Sequence, residues 1–204
     1  MRKTSKLGEG KEISTFFIDL DGTLWEDSGP GQITNFRAQK LAADKLIAFS
    51  ALFNEKPNIF VFTNQTAAAR RKKFLPYFWL RVTLFLSTLR FRNIITDYYV
   101  CYHHPNAQNW LLRKNCNCRK PLPGSIKTLS KKYNLSNSVQ YVIGDRITDI
   151  LAGELADVDS KFLIFGKESL SLNEIPDTLR DVKSYSCTFL PVNSWDEISG
   201  YING

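Results

Sequence analysis

The sequence predicts a three-layer α/β fold: a mostly parallel, Rossmann-like sheet with helices on both faces. Three observations carry the prediction. Short apolar runs such as "ISTFFIDLDG", "NIFVFTN" and "VQYVIGD" alternate with stretches of helical periodicity, the pattern of strands joined through helices. Several runs close on polar residues, Asp19 with Asp21, Thr63 with Asn64, and Asp145, and ligands of such sheets sit beyond the carboxyl ends of the strands. The 204 residues carry no internal repeat or low-complexity segment, a length that suits one domain spanning 1–204 with its own core.

The first strand is expected over Ile13 to Asp19, running into a turn at Gly22. After the loop "EDSGPGQI", Leu41, Leu46, Ile47 and Leu52 recur at helical spacing with Ala42, Ala43 and Ala48 as small fillers, so residues 36–53 are expected to be helical. "NIFVFTN" is the second strand. Residues 67–90 read as a helix broken at Pro76, and "NIITDYYVCY" as the third strand. "PGSIKTLSKKYNL" is helical after Pro123, "VQYVIGD" is the fourth strand and "RITDILAGELA" a helix. "KFLIFG" is the fifth strand, "CTFLPV" a candidate sixth, and "WDEISGYI" a short closing helix.

Composition is that of a soluble globular chain, 43% hydrophobic and 23% charged. Lys and Arg outnumber Asp and Glu by 27 to 20, a net charge of +7. Such a surface can be simply solvated, or it can attract an anionic partner, a phosphorylated metabolite or nucleic acid. "MRKTSKLGEGKE" lacks the apolar core of a secretory signal, so a cytoplasmic, reducing compartment is expected. "FLPYFWLRVTLFLSTLRF" is interrupted by Pro76 and Arg81 and falls short of the roughly 20 apolar residues of a membrane span. It is expected to be a buried or partner-facing helix, with no membrane contact.

Asp19 and Asp21 lie two residues apart where a strand gives way to a turn. Two close carboxylates repel unless a cation or proton intervenes, and a hard divalent cation such as Mg²⁺ takes oxygen ligands. Asp145 closes another strand, with Asp149 one helical turn on, giving an acidic pocket in a basic protein. Either aspartate alone could merely cap a helix; the set at two strand ends, beside a hydroxyl at a third, points to a metal and phosphate site. Thr63, Asn64 and Gln65 offer donors for phosphoryl oxygens. Lys120, in "CRKPLPG", offers an ammonium that can neutralise both a carboxylate and a phosphoryl group.

"DLDGT", "FTNQ", "RKP" and "GDRITD" stand in the order of four motifs, and over roughly residues 16–153 the chain resembles the haloacid dehalogenase superfamily. The resemblance implies phosphoryl transfer through an aspartyl-phosphate. Asp19 would be the nucleophile and Asp21 the general acid and then base. Thr63 and Lys120 would stabilise the phosphoryl group. Mg²⁺ would be held by Asp19, the backbone carbonyl of Asp21, and Asp145.

Cys101-x-His103 followed, after twelve residues, by Cys116-x-Cys118 supplies four ligands of the kind structural Zn²⁺ takes, with His104 the alternative imidazole. The zinc-binding loop thus spans 101–118. Cys187, on an apolar run, reads as a buried thiol. "CYHHP" and "CNCRKP" resemble the superfamily branch of D-glycero-D-manno-heptose 1,7-bisphosphate 7-phosphatases and histidinol-phosphate phosphatases. That likeness implies a minimal cap, a structural zinc and substrate contacts from Asn64, Arg119 and Arg146. Two segments depart from the branch: Leu20 stands where it usually carries Arg, and "TAAARRKK" follows "FTNQ".

The leading expectation is a monomeric phosphatase of a small phosphorylated metabolite, most of all a sugar or heptose bisphosphate. A nucleic-acid 3′-phosphatase ranks second, since phosphatase domains of DNA end repair share "DLDGT" and "FTNQ". A non-catalytic phosphatase-like binding module ranks third.

Overall fold

The computed structural model describes residues 13–25, 35–65, 75–164, 190–192 and 195–203. Six strands form one sheet in the order β3-β2-β1-β4-β5-β6: β1 Thr15–Ile18, β2 Asn58–Asn64, β3 Asp97–Cys101, β4 Gln140–Gly144, β5 Ser160–Ile164 and β6 Leu190–Val192. Among the described residues every neighbouring pair is parallel, in keeping with the expected Rossmann-like sheet. The central strand TFFI is buried at all four positions, as expected of a parallel strand covered on both faces. From β1 the chain steps outward to β2 and β3, then returns to β4 on the other side of β1. That reversal makes a crevice beyond the strand ends.

Register fixes what meets there. Ile18 pairs with Val61 of β2 and with Ile143 of β4. Asp19, Thr63 and Asp145, each one or two residues further along, therefore emerge at the same edge.

Alternation along β1 builds the layers. Phe16 and Ile18 face a core that includes Leu46 and Phe49 of α1 (Phe36–Ser50), Leu86 and Leu89 of α2 (Leu75–Phe91), and Ile198 of α5 (Trp195–Asn203). Phe17 faces the other core, with Ile126 and Leu129 of α3 (Gly124–Tyr133) and Ala152 of α4 (Ile147–Glu154). Each buried Phe or Leu contributes about 1.5–3 kcal/mol relative to exposure. Among the described residues no separate cap domain intervenes between strands and helices.

Element ends differ from expectation for local reasons. Helix α1 starts at Phe36 because Asn35 accepts hydrogen bonds from the Arg37 and Ala38 amides, and it stops at Ser50 rather than residue 53. Pro76 does not break α2; it lies in the first turn, where no intrahelical donor is lost. Residues 67–74, expected in the same helix, lie outside the described residues. One face of α2 buries Val82, Phe85, Leu86 and Leu89, whereas Leu80, Leu84 and Phe91 are exposed. No helix among the described residues is long and apolar enough to cross a membrane. Strand β3 starts at Asp97, not residue 93, because residues 93–95 fold back on the end of α2, with Ile94 N–H donating to the Leu89 carbonyl. Asn134, in the left-handed region at φ 52°, ends α3. Cys187 and the first half of the sixth expected strand lie outside the described residues.

Candidate active site

Asp19 extends β1 by one residue, its N–H held by the Ile143 carbonyl at 2.9 Å, and is 4% exposed. The chain then turns sharply. Gly22 adopts φ +89°, and a Cβ there would lie 2.0 Å from Asp145 Oδ2, so glycine is required for two strand ends to approach. Gly144 is required likewise, since its Cβ would come within 2.4 Å of the Asp149 Cβ.

Lys120 arrives from the loop between β3 and α3. Its buried ammonium contacts Asp19 Oδ1 and, at 2.5 Å, Asp149 Oδ1. The backbone of Lys120 is fixed by a reciprocal pair: Asn64 Nδ2 donates to its carbonyl and its N–H donates to Asn64 Oδ1, both at 3.1 Å. Asn64 thus turns its amide to the Lys120 backbone. Asp149 also accepts from the Arg146 N–H at 3.0 Å, a box that caps α4.

Oxygens of Asp19, Asp145 and Asp149 lie within 4.8 Å of one another. Burial, and then Asp149, Asp145 and Asp21, push the Asp19 carboxyl well above its usual range against the pull of Lys120. Burial and Asp149 raise Asp145 to about 6, opposed by Arg146 and Lys120. Burial alone would lower Lys120, but Asp149 and Asp19 hold it above its ordinary value and charged. Three carboxylates, Asp19, Asp145 and Asp149, gathered about one buried ammonium carry excess negative charge that a hard cation relieves.

The Asp21 carboxyl takes a different set of partners. Trp25 Nε1 donates to its Oδ1 at 2.8 Å, Gln65 Nε2 to its Oδ2 at 2.5 Å, and Thr63 Oγ1 reaches Oδ2 at 3.4 Å. Thr23 Oγ1 donates to Asp145 Oδ1 at 3.3 Å. Arg119 Nη1 reaches the His103 carbonyl at 3.4 Å, and Arg146 Nε is 4.0 Å from Asp145 Oδ2. Trp25 is the site residue that sequence reasoning leaves without a role; it places Asp149 in the acidic pocket and Gln65 among the phosphoryl donors, but does not foresee their contacts with Lys120 and Asp21. For Asp149 the signal was its place one turn after Asp145; for Gln65, its place in "FTNQ".

Beside this edge, Cys101, His103, Cys116 and Cys118 converge within 4.8 Å. The Sγ separations are 3.3 Å from Cys118 to Cys101 and to Cys116, and 3.7 Å between Cys101 and Cys116; His103 Nδ1 lies 3.5 Å from Cys118 Sγ. Ligands on a tetrahedral zinc with bonds of about 2.3 Å stand about 3.8 Å apart, so the donor set and spacing fit that ion. Hydrogen bonds led by Cys101 pull the Cys118 thiol down to about 4, while its bond to Cys118 and burial push Cys101 up. His104 stays out of the cluster: its N–H donates to the Leu112 carbonyl and its Nδ1 accepts from the Asn106 amide.

The family model described as HAD-hydrolase-like matches residues 117–179. The D-glycero-alpha-D-manno-heptose-1,7-bisphosphate 7-phosphatase of Photorhabdus laumondii is 34% identical over 154 residues, 75% of this chain and 83% of the relative. The D-glycero-beta-D-manno-heptose-1,7-bisphosphate 7-phosphatase of Escherichia coli K12 is 30% identical over 156 residues, 76% of this chain and 80% of the relative. Among solved structures, the D,D-heptose 1,7-bisphosphate phosphatase of B. bronchiseptica, complexed with magnesium and phosphate, has the same fold at a TM-score of 0.60. It is 17% identical, with 94% of this chain and 98% of that one covered. The chain therefore belongs to the haloacid dehalogenase-like family of phosphoric monoester hydrolases, on the branch of the heptose bisphosphate phosphatases.

Proposed function

We propose that this phosphatase hydrolyses a small sugar phosphate, a heptose 1,7-bisphosphate in the first instance, through an aspartyl-phosphate on Asp19 with Mg²⁺ as cofactor. The observation that carries the reading is the contact of Lys120 with Asp19 at the edge where Thr63, Asp145 and Asp149 also converge. An ammonium against the nucleophile offsets its repulsion of an anionic phosphate. The names of the sequence relatives support the substrate class.

An Asp19 oxygen attacks phosphorus, and the ester P–O bond breaks as Asp21 gives its proton to the departing alkoxide. Asp21 then takes a proton from water, whose oxygen attacks the aspartyl-phosphate and releases Asp19 and inorganic phosphate. Thr63 and Lys120 offer donors to the phosphoryl oxygens throughout, and Arg119 and Arg146 remain proposed contacts of the substrate. Asp19, Asp145 and the Asp21 carbonyl would hold magnesium, with Asp149 beside them; when bound it supplies positive charge for the phosphoryl group. Cys101, His103, Cys116 and Cys118 would hold a structural zinc. The reading treats the chain as one domain working as a monomer.

The test is phosphate release from both anomers of D-glycero-D-manno-heptose 1,7-bisphosphate, from histidinol phosphate and from a 3′-phosphorylated oligonucleotide, with and without Mg²⁺. Heptose bisphosphate turnover that needs Mg²⁺ and disappears in Asp19→Asn is expected. Near wild-type activity in Asp19→Asn would rule out the aspartyl-phosphate route.

A further inference from the structure

We infer that Trp25 is a positioning residue for the carboxyl of Asp21, acting through its indole N–H; the inference rests on the acid–base role proposed for Asp21. Residues 20–25 form a closed turn. The Gly22 N–H donates to the Trp25 carbonyl at 2.8 Å and the Leu24 N–H to the Leu20 carbonyl at 3.0 Å. Lys45 of α1 ties the turn down, donating to the carbonyls of Thr23 and Leu24 at 3.2 and 3.0 Å. The indole is 5% exposed and packs on Phe85 of α2 with ring centroids 5.3 Å apart. Helix α2 thus backs the ring and α1 holds the turn that carries it, while the Nε1–H reaches Asp21 Oδ1.

An aspartate carboxyl otherwise rotates broadly about its last torsion. Here a donor sits on each oxygen, Trp25 on Oδ1 and Gln65 on Oδ2, so the plane of the carboxyl is set. An indole N–H can only donate, so this contact has one polarity. Both donors are neutral, unlike the ammonium that faces Asp19. These two neutral donors orient a group that must release and regain a proton every turnover.

A core residue with no part in the chemistry would show the same burial, so the test must read the proton-transfer step. Trp25→Phe keeps an aromatic ring against Phe85 and removes the donor. Departure of an alkoxide needs a proton from Asp21; departure of p-nitrophenolate does not. In Trp25→Phe, kcat/KM for an alkyl phosphate (heptose 1,7-bisphosphate, or glycerol phosphate if that turns over better) should fall about tenfold or more, and for p-nitrophenyl phosphate by no more than about twofold. Gln65→Met removes the other donor and should give the same asymmetry, which keeps the test sound if Trp25→Phe does not fold. Equal losses on both esters, or no loss on either, would overturn the role of Trp25. Asp21→Asn separates the two readings. If it loses alkyl phosphate turnover while Trp25→Phe does not, only the Trp25 inference fails; if it keeps full activity, both fail.

Discussion

The ammonium of Lys120 touches Asp19 at the end of β1 and Asp149 in the first turn of α4 at once, with all three side chains no more than 6% exposed. Removing one member of a buried ionic set leaves its partners uncompensated, at a cost of about 3–5 kcal/mol. Lys120→Met should therefore lower stability by about that amount in metal-free buffer and abolish phosphate release. Adding Asp149→Asn to it should restore part of the stability and none of the activity. Urea unfolding beside a phosphate assay reads both; equal stability of Lys120→Met and wild type would contradict the pairing.

Asn64 offers a second test of how Lys120 is held. Its amide bonds both backbone polar groups of Lys120, and leaving buried partners unsatisfied costs about 1–3 kcal/mol. A displacement of about 1 Å at a reacting centre can cost on the order of 100-fold in rate. Asn64→Ala should lower kcat by about 10- to 100-fold with a smaller change in KM. A change confined to KM would mean that Asn64 contacts substrate instead.

Asp97, buried at the start of β3, accepts from Lys132 at 2.6 Å and Tyr133 at 2.9 Å. Burial works against its ionisation, but these bonds and the Tyr98 amide outweigh it and hold the carboxyl below the usual range. A depressed folded value means stability that is present above the unfolded value of about 3.9 and lost as pH falls through the folded one. Lys132 is half exposed, so the net gain is modest, about 1 kcal/mol. Asp97→Asn should be less stable than wild type by about that margin at pH 7, with the gap closing below about pH 4. A gap that persists at pH 2.5 would assign the loss to packing.

What could be read from sequence divides along physical lines. Strands buried on both faces are continuous apolar runs, so β1, β2 and β4 and the polar residues at their ends were legible. Side-chain direction was not. Asn64 could equally face phosphate or backbone, and only the approach of the Lys120 loop decides. Trp25 looked like one more aromatic until its N–H was found on Asp21. His103 and His104 are neighbours of one residue type, separated only by the turn in which His104 bonds Leu112 and Asn106. The β-branched "NIIT" looked like strand, but its two isoleucines are buried beside the end of α2.

The net charge of +7 leaves a partner class to decide by salt. A small sugar phosphate releases few counterions, whereas a strand of nucleic acid releases one for nearly every phosphate neutralised. KM for heptose bisphosphate should rise only weakly as salt is raised from about 50 to 200 mM, a range over which a nucleic-acid site can lose about 10³-fold or more. Turnover of a 3′-phosphorylated oligonucleotide with a steep log–log slope would move the enzyme to the nucleic-acid class.

The cysteine cluster and the candidate active site share one short segment: Cys118 is followed directly by Arg119 and Lys120. Cys118 Sγ lies 3.3 Å from two other thiols, an arrangement that thiolates hold only around a cation. A zinc there would have four protein ligands and no open position, so its contribution would be geometric, fixing the backbone that delivers the Lys120 ammonium to Asp19. Cys118→Ser should lose zinc on metal analysis and lose turnover by about 100-fold, the scale set by small misplacement of a catalytic group. Asp19, Asp145 and Asp149 stand on other segments, so Mg²⁺ binding, followed by calorimetry, should survive. Zinc-replete wild-type protein that contains no zinc would refute the site, and a zinc-free Cys118→Ser enzyme with full activity would refute the coupling.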